Sequence, residues 1–290
     1  MRTLFAFLLT IYFMGAAGNL PAQNTGNVFM YKVGLCEITL LSESQGQGNK
    51  GVLIDATPDM LQKYAPDGTF PNATNAFFLK TPDRNILIDA GYGRNLFNNL
   101  QAIGITPEQV DVVLLTHMHG DHIGGMLRDG RPSFPNAEVY LAQPEHDYWA
   151  GESRGQQARD VIAAYKGKLH LFQPIETGRQ GGPLVAGITG IAAYGHTPGH
   201  TAYLVESDRE KLLVWGDLTH AMAIQMPYPQ VAVTYDVNPA DAVAYRKKLL
   251  EYAEANKIPV AGMHIAFPGI GSVTKGELPG GYVFTPAAAR

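Results

Sequence analysis

A single cysteine in 290 residues, Cys36, excludes an internal disulfide. It sits in "VGLCEITLL", an apolar run that reads as a buried strand. Basic residues are not in excess. There are 22 Lys and Arg against 26 Asp and Glu, a formal net charge of −4 with the signs scattered. The electrostatic footprint of a nucleic-acid-binding protein is therefore missing. Beyond the N-terminus no apolar run approaches the roughly 20 residues of a membrane-spanning helix. No Walker-type loop is visible, and no dinucleotide fingerprint of the strand, glycine loop and helix type, so no nucleotide cofactor is expected. Linker-like stretches, low-complexity segments and internal repeats are also lacking.

The N-terminus stands apart. "MRTLFAFLLTIYFMGAAGNLPAQ" opens with Arg2, continues in an apolar run from Leu4 to Met14, and ends in the small residues Ala16, Ala17, Gly18 and Ala22. That pattern predicts a secretory signal over residues 1–22 and one mature domain over 23–290. The expected product is soluble, periplasmic or secreted, and free of the membrane once the signal is removed. The sequence leaves a monomer and a homodimer both open.

In the rest of the chain, short strand-like runs alternate with helical patterns. Strands are expected at 27–33, 36–41, 75–81, 85–90, 111–117, 137–142, 188–194, 201–207, 211–217 and 258–264. Helical spacing covers 93–104, 153–167 and 238–257, the last with Asn238 as N-cap and Pro239 at the first helical position. The class is α/β. Four of the apolar runs end in a polar residue: Asp89, His117, Asp217 and His264. Strand ends are where α/β sheets build ligand sites.

One of those ends carries the chemistry. "LTHMHGDHIGG" (115–125) holds three of the chain's nine histidines and an aspartate within six positions. In extended chain alternate residues point the same way, so His117, His119 and Asp121 converge while His122 turns with the next helix. Imidazole and carboxylate together suit zinc and neighbouring transition metals. Further on, "YGHTPGHTAYL" presents His196, "LLVWGDLTH" presents Asp217 and "VAGMHIAFPG" presents His264.

With these motifs in this order, the chain from about residue 27 to 285 resembles the metallo-β-lactamase-fold hydrolases. The resemblance implies a four-layer αβ/βα sandwich, two mixed sheets flanked by helices. It implies two divalent ions per chain, Zn²⁺ in the first place, with Mn, Fe or Co as alternatives. His117, His119 and His196 would hold one ion, and Asp121, His122 and His264 the other. Asp217 would bridge them. Asp89 and His200 would support ligands from behind. Asp121, Asp217 and His220 are the expected catalytic residues, and Tyr148, Trp149 and Phe267 the expected pocket residues. His146 and His170 have no assigned role.

The implied reaction is hydrolysis of an ester, lactone or phosphotriester by a hydroxide held at the metals. The substrate is expected to be a small molecule, and no nucleic acid partner is expected. Asp217 stands where cysteine-type β-lactamases place a cysteine. The chain is most similar to the methyl parathion hydrolase-like and acyl-homoserine lactonase branch. It departs from many lactonases at His220, where they carry a tyrosine three residues after the bridging aspartate. A glyoxalase II-like thioesterase, a β-lactamase-like amide hydrolase and an exported metal-binding protein without turnover are the alternatives.

Overall fold

The computed structural model describes residues 27–151, 155–185 and 187–288. The expected signal over residues 1–22 lies outside them.

Two mixed sheets carry the fold. The first runs β1 (Val28–Val33), β2 (Cys36–Asn49), β3 (Thr69–Lys80), β4 (Asn85–Ile88), β5 (Val112–Leu114), β6 (Glu138–Ala142) and β7 (Leu169–Phe172), each hydrogen-bonded to the next. The first four strands pair antiparallel, with helix α1 (Pro58–Tyr64) between β2 and β3 in the chain. From β4 onward the pairing is parallel, with helices α2 (Leu96–Ala102) and α5 (Gln156–Ala164) in the crossovers. The second sheet runs β8 (Ile188–Ala192), β9 (Thr201–Ser207), β10 (Glu210–Val214), β11 (Val260–Ala261), β12 (Ile270–Lys275) and β13 (Tyr282–Pro286). Helices α6 (Met222–Gln225) and α7 (Pro239–Ala255) lie between β10 and β11, which pair parallel. The start of α7 is as the sequence predicts: the Asn238 side chain accepts from the Asp241 N–H and Pro239 stands inside the first turn.

Side-chain alternation sorts these elements into four layers. Phe77, Leu79, Ile86, Ile88, Val112 and Leu114 point from the first sheet into a core shared with Tyr203, Val205, Leu212 and Val214 of the second. The intervening Phe78, Leu87 and Val113 point the other way, onto Leu96 and Leu100 of α2 and Val161 of α5. On the far side Leu204 and Leu213 meet Leu249 and Leu250 of α7. The order is helix, sheet, sheet, helix, as the family resemblance implies. Leu114 is fully buried in the middle layer, and truncating it to alanine should cost about 2–5 kcal/mol.

Four elements differ from the sequence reading. Strands β2 and β3 are much longer than their apolar cores. The polar stretch Ser44–Asn49 pairs with Thr69–Thr74 as a ribbon, and it has no hydrophobic alternation to betray it. The helix expected at 153–167 is described over Gln156–Ala164, with part of the difference outside the described residues. Helix α4 (Gln143–Trp149) went unpredicted because it is only two turns long. Cys36 is buried at the start of β2, as expected. Among the described residues no helix is long and apolar enough to cross a membrane.

Candidate metal centre

The polar strand ends meet at one edge of the sandwich. After Leu114 the chain leaves β5, and Thr116–His119 turn into a single helical turn, α3 (Gly120–Ile123), with His119 at its N-cap. The sheets are joined directly beneath: the Thr201 N–H donates to Thr116 O (2.9 Å) and the Tyr203 hydroxyl to Leu115 O (2.7 Å). The loop after β10 delivers Asp217 from Gly216, whose φ is +60°. A Cβ there would lie 2.3 Å from His200 Nε2, so only glycine lets the strand end come this close.

Two donor sets result. His117, His119, His196 and Asp217 bring ligand atoms within 4.8 Å of one another, and so do Asp121, His122 and His264. Asp217 sits between the sets. Its Oδ2 lies 3.3 Å from His196 Nε2, 3.7 Å from His117 Nε2 and 3.0 Å from His264 Nε2, while Oδ1 lies 3.1 Å from His122 Nε2. In the first set His119 Nδ1 is 3.0 Å from His117 Nε2 and 2.9 Å from His196 Nε2. In the second, Asp121 Oδ2 is 3.5 Å from His264 Nε2 and 3.8 Å from His122 Nε2.

The outer nitrogens explain why the inner ones are available. His264 Nδ1–H donates to Ala73 O (2.6 Å), His122 Nδ1–H to Asp89 Oδ2 (2.7 Å) and His196 Nδ1–H to Asp236 Oδ1 (3.0 Å). His117 Nδ1 lies 3.1 Å from Thr116 Oγ1, whose own hydroxyl donates to Asp89. Each ring thus turns a bare nitrogen toward other lone pairs and carboxylate oxygens. Buried His122 Nε2 and Asp217 Oδ1 have no hydrogen-bond partner at all. Such a cluster is repulsive unless cations lie inside it, and its donor set fits a dinuclear centre of nitrogen and oxygen ligands.

Titration of the cluster points the same way. Burial works against the His122 imidazolium, but the carboxylates of Asp217, Asp121 and Asp89 hold its pKa well above the ordinary range. His196 is also buried, yet Asp217 and Asp236 lift it to about 9. Burial dominates at His119, which falls to about 3. The Asp217 carboxyl, buried but ringed by imidazoles, is held well below the carboxylate range. The carboxylates thus hold protons on His122 and His196 while burial keeps His119 neutral, and metal ions would take the place of those protons.

Asp89 and His200 stand behind the ligands. Asp89, at φ +58°, also accepts from the Thr116 N–H. His200 accepts from the Asp217 N–H (3.0 Å) and donates to Ala193 O (2.7 Å), fixing the backbone of the central aspartate. His220 is brought to the same floor. Its Nε2 lies 3.1 Å from Asp217 Oδ2, its ring stacks on His264 at 4.7 Å, and its buried Nδ1 has no partner. With Asp217 and His264 it forms a third convergent donor group. His146 and His170 lie away from the site, beside Asp147 and Glu138.

A cavity of about 580 Å³ opens over this floor. His119, Asp121, His196, Asp217, His220 and His264 form its base. Its walls are the β2–β3 ribbon, with Gln47, Asn49, Phe70 and Asn72, and the side chains of Tyr92 and Tyr235. No lysine or arginine lines it among the described residues. Tyr148, Trp149 and Phe267, the expected pocket residues, are not among its lining. Trp149 lies beneath, edge-on to His119 at 5.7 Å, and Tyr148 packs on Trp149. Phe267 packs against Phe29 of β1 at the inter-sheet core. The actual wall comes from the ribbon, whose polar sequence gave no sign of it. Asp236 and Glu145 were also missed: neither lies in a ligand motif of the sequence, and only the fold sets each against the ligand loops.

A family model described as the metallo-beta-lactamase superfamily matches residues 69–257. The uncharacterized protein YobT of Bacillus subtilis (strain 168) is 27% identical over 145 residues, which are 49% of this chain and 60% of that protein. The chain thus covers less than two thirds of that relative. Among solved structures, a hydrolase called AbOPH, described as in the beta lactamase superfamily, superposes with a TM-score of 0.82 at 28% identity, over 92% of this chain and 100% of the other. AidC, a dizinc quorum-quenching lactonase in complex with the product N-hexnoyl-L-homoserine, superposes with a TM-score of 0.76 at 24% identity, over 91% and 99%. That second likeness is one of fold.

Proposed function

The chain belongs to the metallo-beta-lactamase superfamily and is a metal-dependent hydrolase, and on that premise we propose that it cleaves a small uncharged ester: a lactone, a carboxylic ester or a phosphotriester. The observation that carries this reading is the cavity wall. Among the described residues it offers amides and aromatic faces but no lysine or arginine, the side chains that would pair with the carboxylate of a β-lactam or the phosphates of a nucleic acid. The lactonase likeness supports a lactone as the first substrate to try.

In this reading His117, His119 and His196 hold one divalent ion, Asp121, His122 and His264 hold the other, and Asp217 is shared. Zinc is the proposed metal, and Mn, Fe and Co suit the mixed oxygen and nitrogen donors. Bound ions of this kind supply a nucleophile from water at neutral pH and polarise the scissile oxygen. The chain's own residues do the rest. Asp217 and Asp121 contribute negative charge that keeps the two sites close. His220, buried at the cavity floor, is neutral near pH 7 because burial lowers its pKa to about 4 against the pull of Asp217. Its Nε2, 3.1 Å from Asp217 Oδ2 at the cavity floor, is the nitrogen that would donate to the substrate oxygen as charge develops there. Asn72 holds the His220 carbonyl from the ribbon (2.8 Å), coupling the wall to the floor.

The test is a hydrolase panel of lactones, aryl esters, phosphotriesters, thioesters and β-lactams, run on protein of measured metal content. Turnover confined to thioesters or β-lactams would overturn the substrate class. Export is part of the same proposal. N-terminal sequencing of protein from the native host should find a start between about residues 19 and 24, and an intact Met1 in a cytosolic fraction would refute it.

A further inference from the structure

Glu145 lies in the first turn of α4, fully buried. Its Oε1 accepts from the Met118 N–H (3.0 Å) and from the Trp149 indole Nε1–H (2.6 Å). Its Oε2 accepts from the Thr197 hydroxyl (2.6 Å) and the Gly199 N–H (3.0 Å). Four donors occupy the carboxylate's whole acceptor capacity. Three of them, Met118, Thr197 and Gly199, come from two loops far apart in sequence, and Trp149 comes from α4 itself. Met118 stands between His117 and His119, while Thr197 and Gly199 follow His196. A Cβ on Gly199 would lie 2.1 Å from the Glu145 N, so the second loop presses on α4 as closely as a glycine allows.

We infer that Glu145 is the positioning residue for the first donor set: it locks the loop of His117 and His119 to the loop of His196, and sets the tilt of the His119 ring through Trp149. This rests on the reading that these three histidines share one metal. His119 is the ligand that most needs such help. His117, His122, His196 and His264 each have an outer nitrogen held by a hydrogen bond, whereas the described hydrogen bonds of His119 run only from the Nδ1 that faces His117 and His196. What orients its ring is the edge-on indole of Trp149, with centroids 5.7 Å apart and planes at 84°. That indole is held in turn by Glu145. The second donor set makes no contact with this carboxylate, so the effect is confined to one metal.

A glutamine at position 145 keeps the shape but replaces one acceptor oxygen by an amide that meets donors. Metal-free wild type, Glu145→Gln and Trp149→Phe are titrated with Co²⁺ and with Zn²⁺ against a chelator. Amide hydrogen exchange of Met118 and Gly199 is followed in the metal-free proteins. In Glu145→Gln one of the two binding steps should weaken by about 10–100-fold, the range for partners that orient metal ligands. The other step should stay unchanged, and excess metal should restore loading. The Met118 and Gly199 amides should exchange faster. Trp149→Phe should weaken the same step by less and leave both amides protected, and it carries the test alone if the glutamine variant does not fold. Unchanged affinities, or equal weakening of both steps, overturn the inference. A wild-type protein that binds no metal overturns the shared-metal reading itself, and the inference with it.

Discussion

Oδ1 of Asp217 and Nε2 of His122 lie 3.1 Å apart in the buried floor of the cavity, and neither atom has a hydrogen-bond partner. Oδ2 of the same aspartate faces His196 and His264 at 3.3 and 3.0 Å. One carboxylate thus touches both donor sets, and its removal separates them.

Wild-type protein should carry about two divalent ions per chain by elemental analysis. Asp217→Ala should lose activity together with one ion. Full turnover in that variant would show that Asp217 bridges nothing.

His220→Gln separates two roles. A donor to the substrate should lower turnover by roughly 10²–10⁴-fold, the usual contribution of a positioned proton-bearing group, with two ions still bound. Measured at saturating metal, a rate near wild type would remove His220 from the reaction. A loss of bound metal would instead make it a ligand, through the group it forms with Asp217 and His264.

Asp236 fixes the His196 ring from behind, and Arg246 holds Asp236 in place at 4.0 Å while donating to Leu218 O and Val231 O. Asp236→Ala should weaken metal binding by about 10–100-fold, with activity recovered in excess metal. Chelator competition reads this directly, and unchanged affinity would show that the His196 ring needs no carboxylate behind it.

His200 gives a pH dependence. Burial lowers its pKa from 6.5 to about 3. The unfolded chain takes up the proton below 6.5 and the folded one does not. The stability it supports is therefore fully present above pH 6.5 and is lost as pH falls toward 3, at up to about 1.4 kcal/mol per pH unit. Urea midpoints of metal-free protein between pH 7 and 5 should fall less steeply in His200→Asn than in wild type. Parallel slopes would mean that His200 is not the group titrating.

Local chemistry was legible from the chain alone. The His-rich turn after an apolar strand, and polar residues closing three further strands, follow from spacing and periodicity. The α/β class and the long capped helix from Pro239 to Ala255 follow from the same local signals. What surrounds the ligands was not legible. Asp236 and Glu145 are ordinary carboxylates until folding sets them 40 and 52 residues away in sequence against His196 and Thr197. The cavity wall comes from a ribbon whose one half, Ser44–Asn49, is mostly exposed Ser, Gln, Gly and Asn with no hydrophobic alternation to read, while Phe70 and Ala73 of the other half are buried. Sequence periodicity records which face of an element is buried against its neighbours. It does not record which elements meet, and the shape of the cavity and the tilt of each ligand ring depend on that meeting.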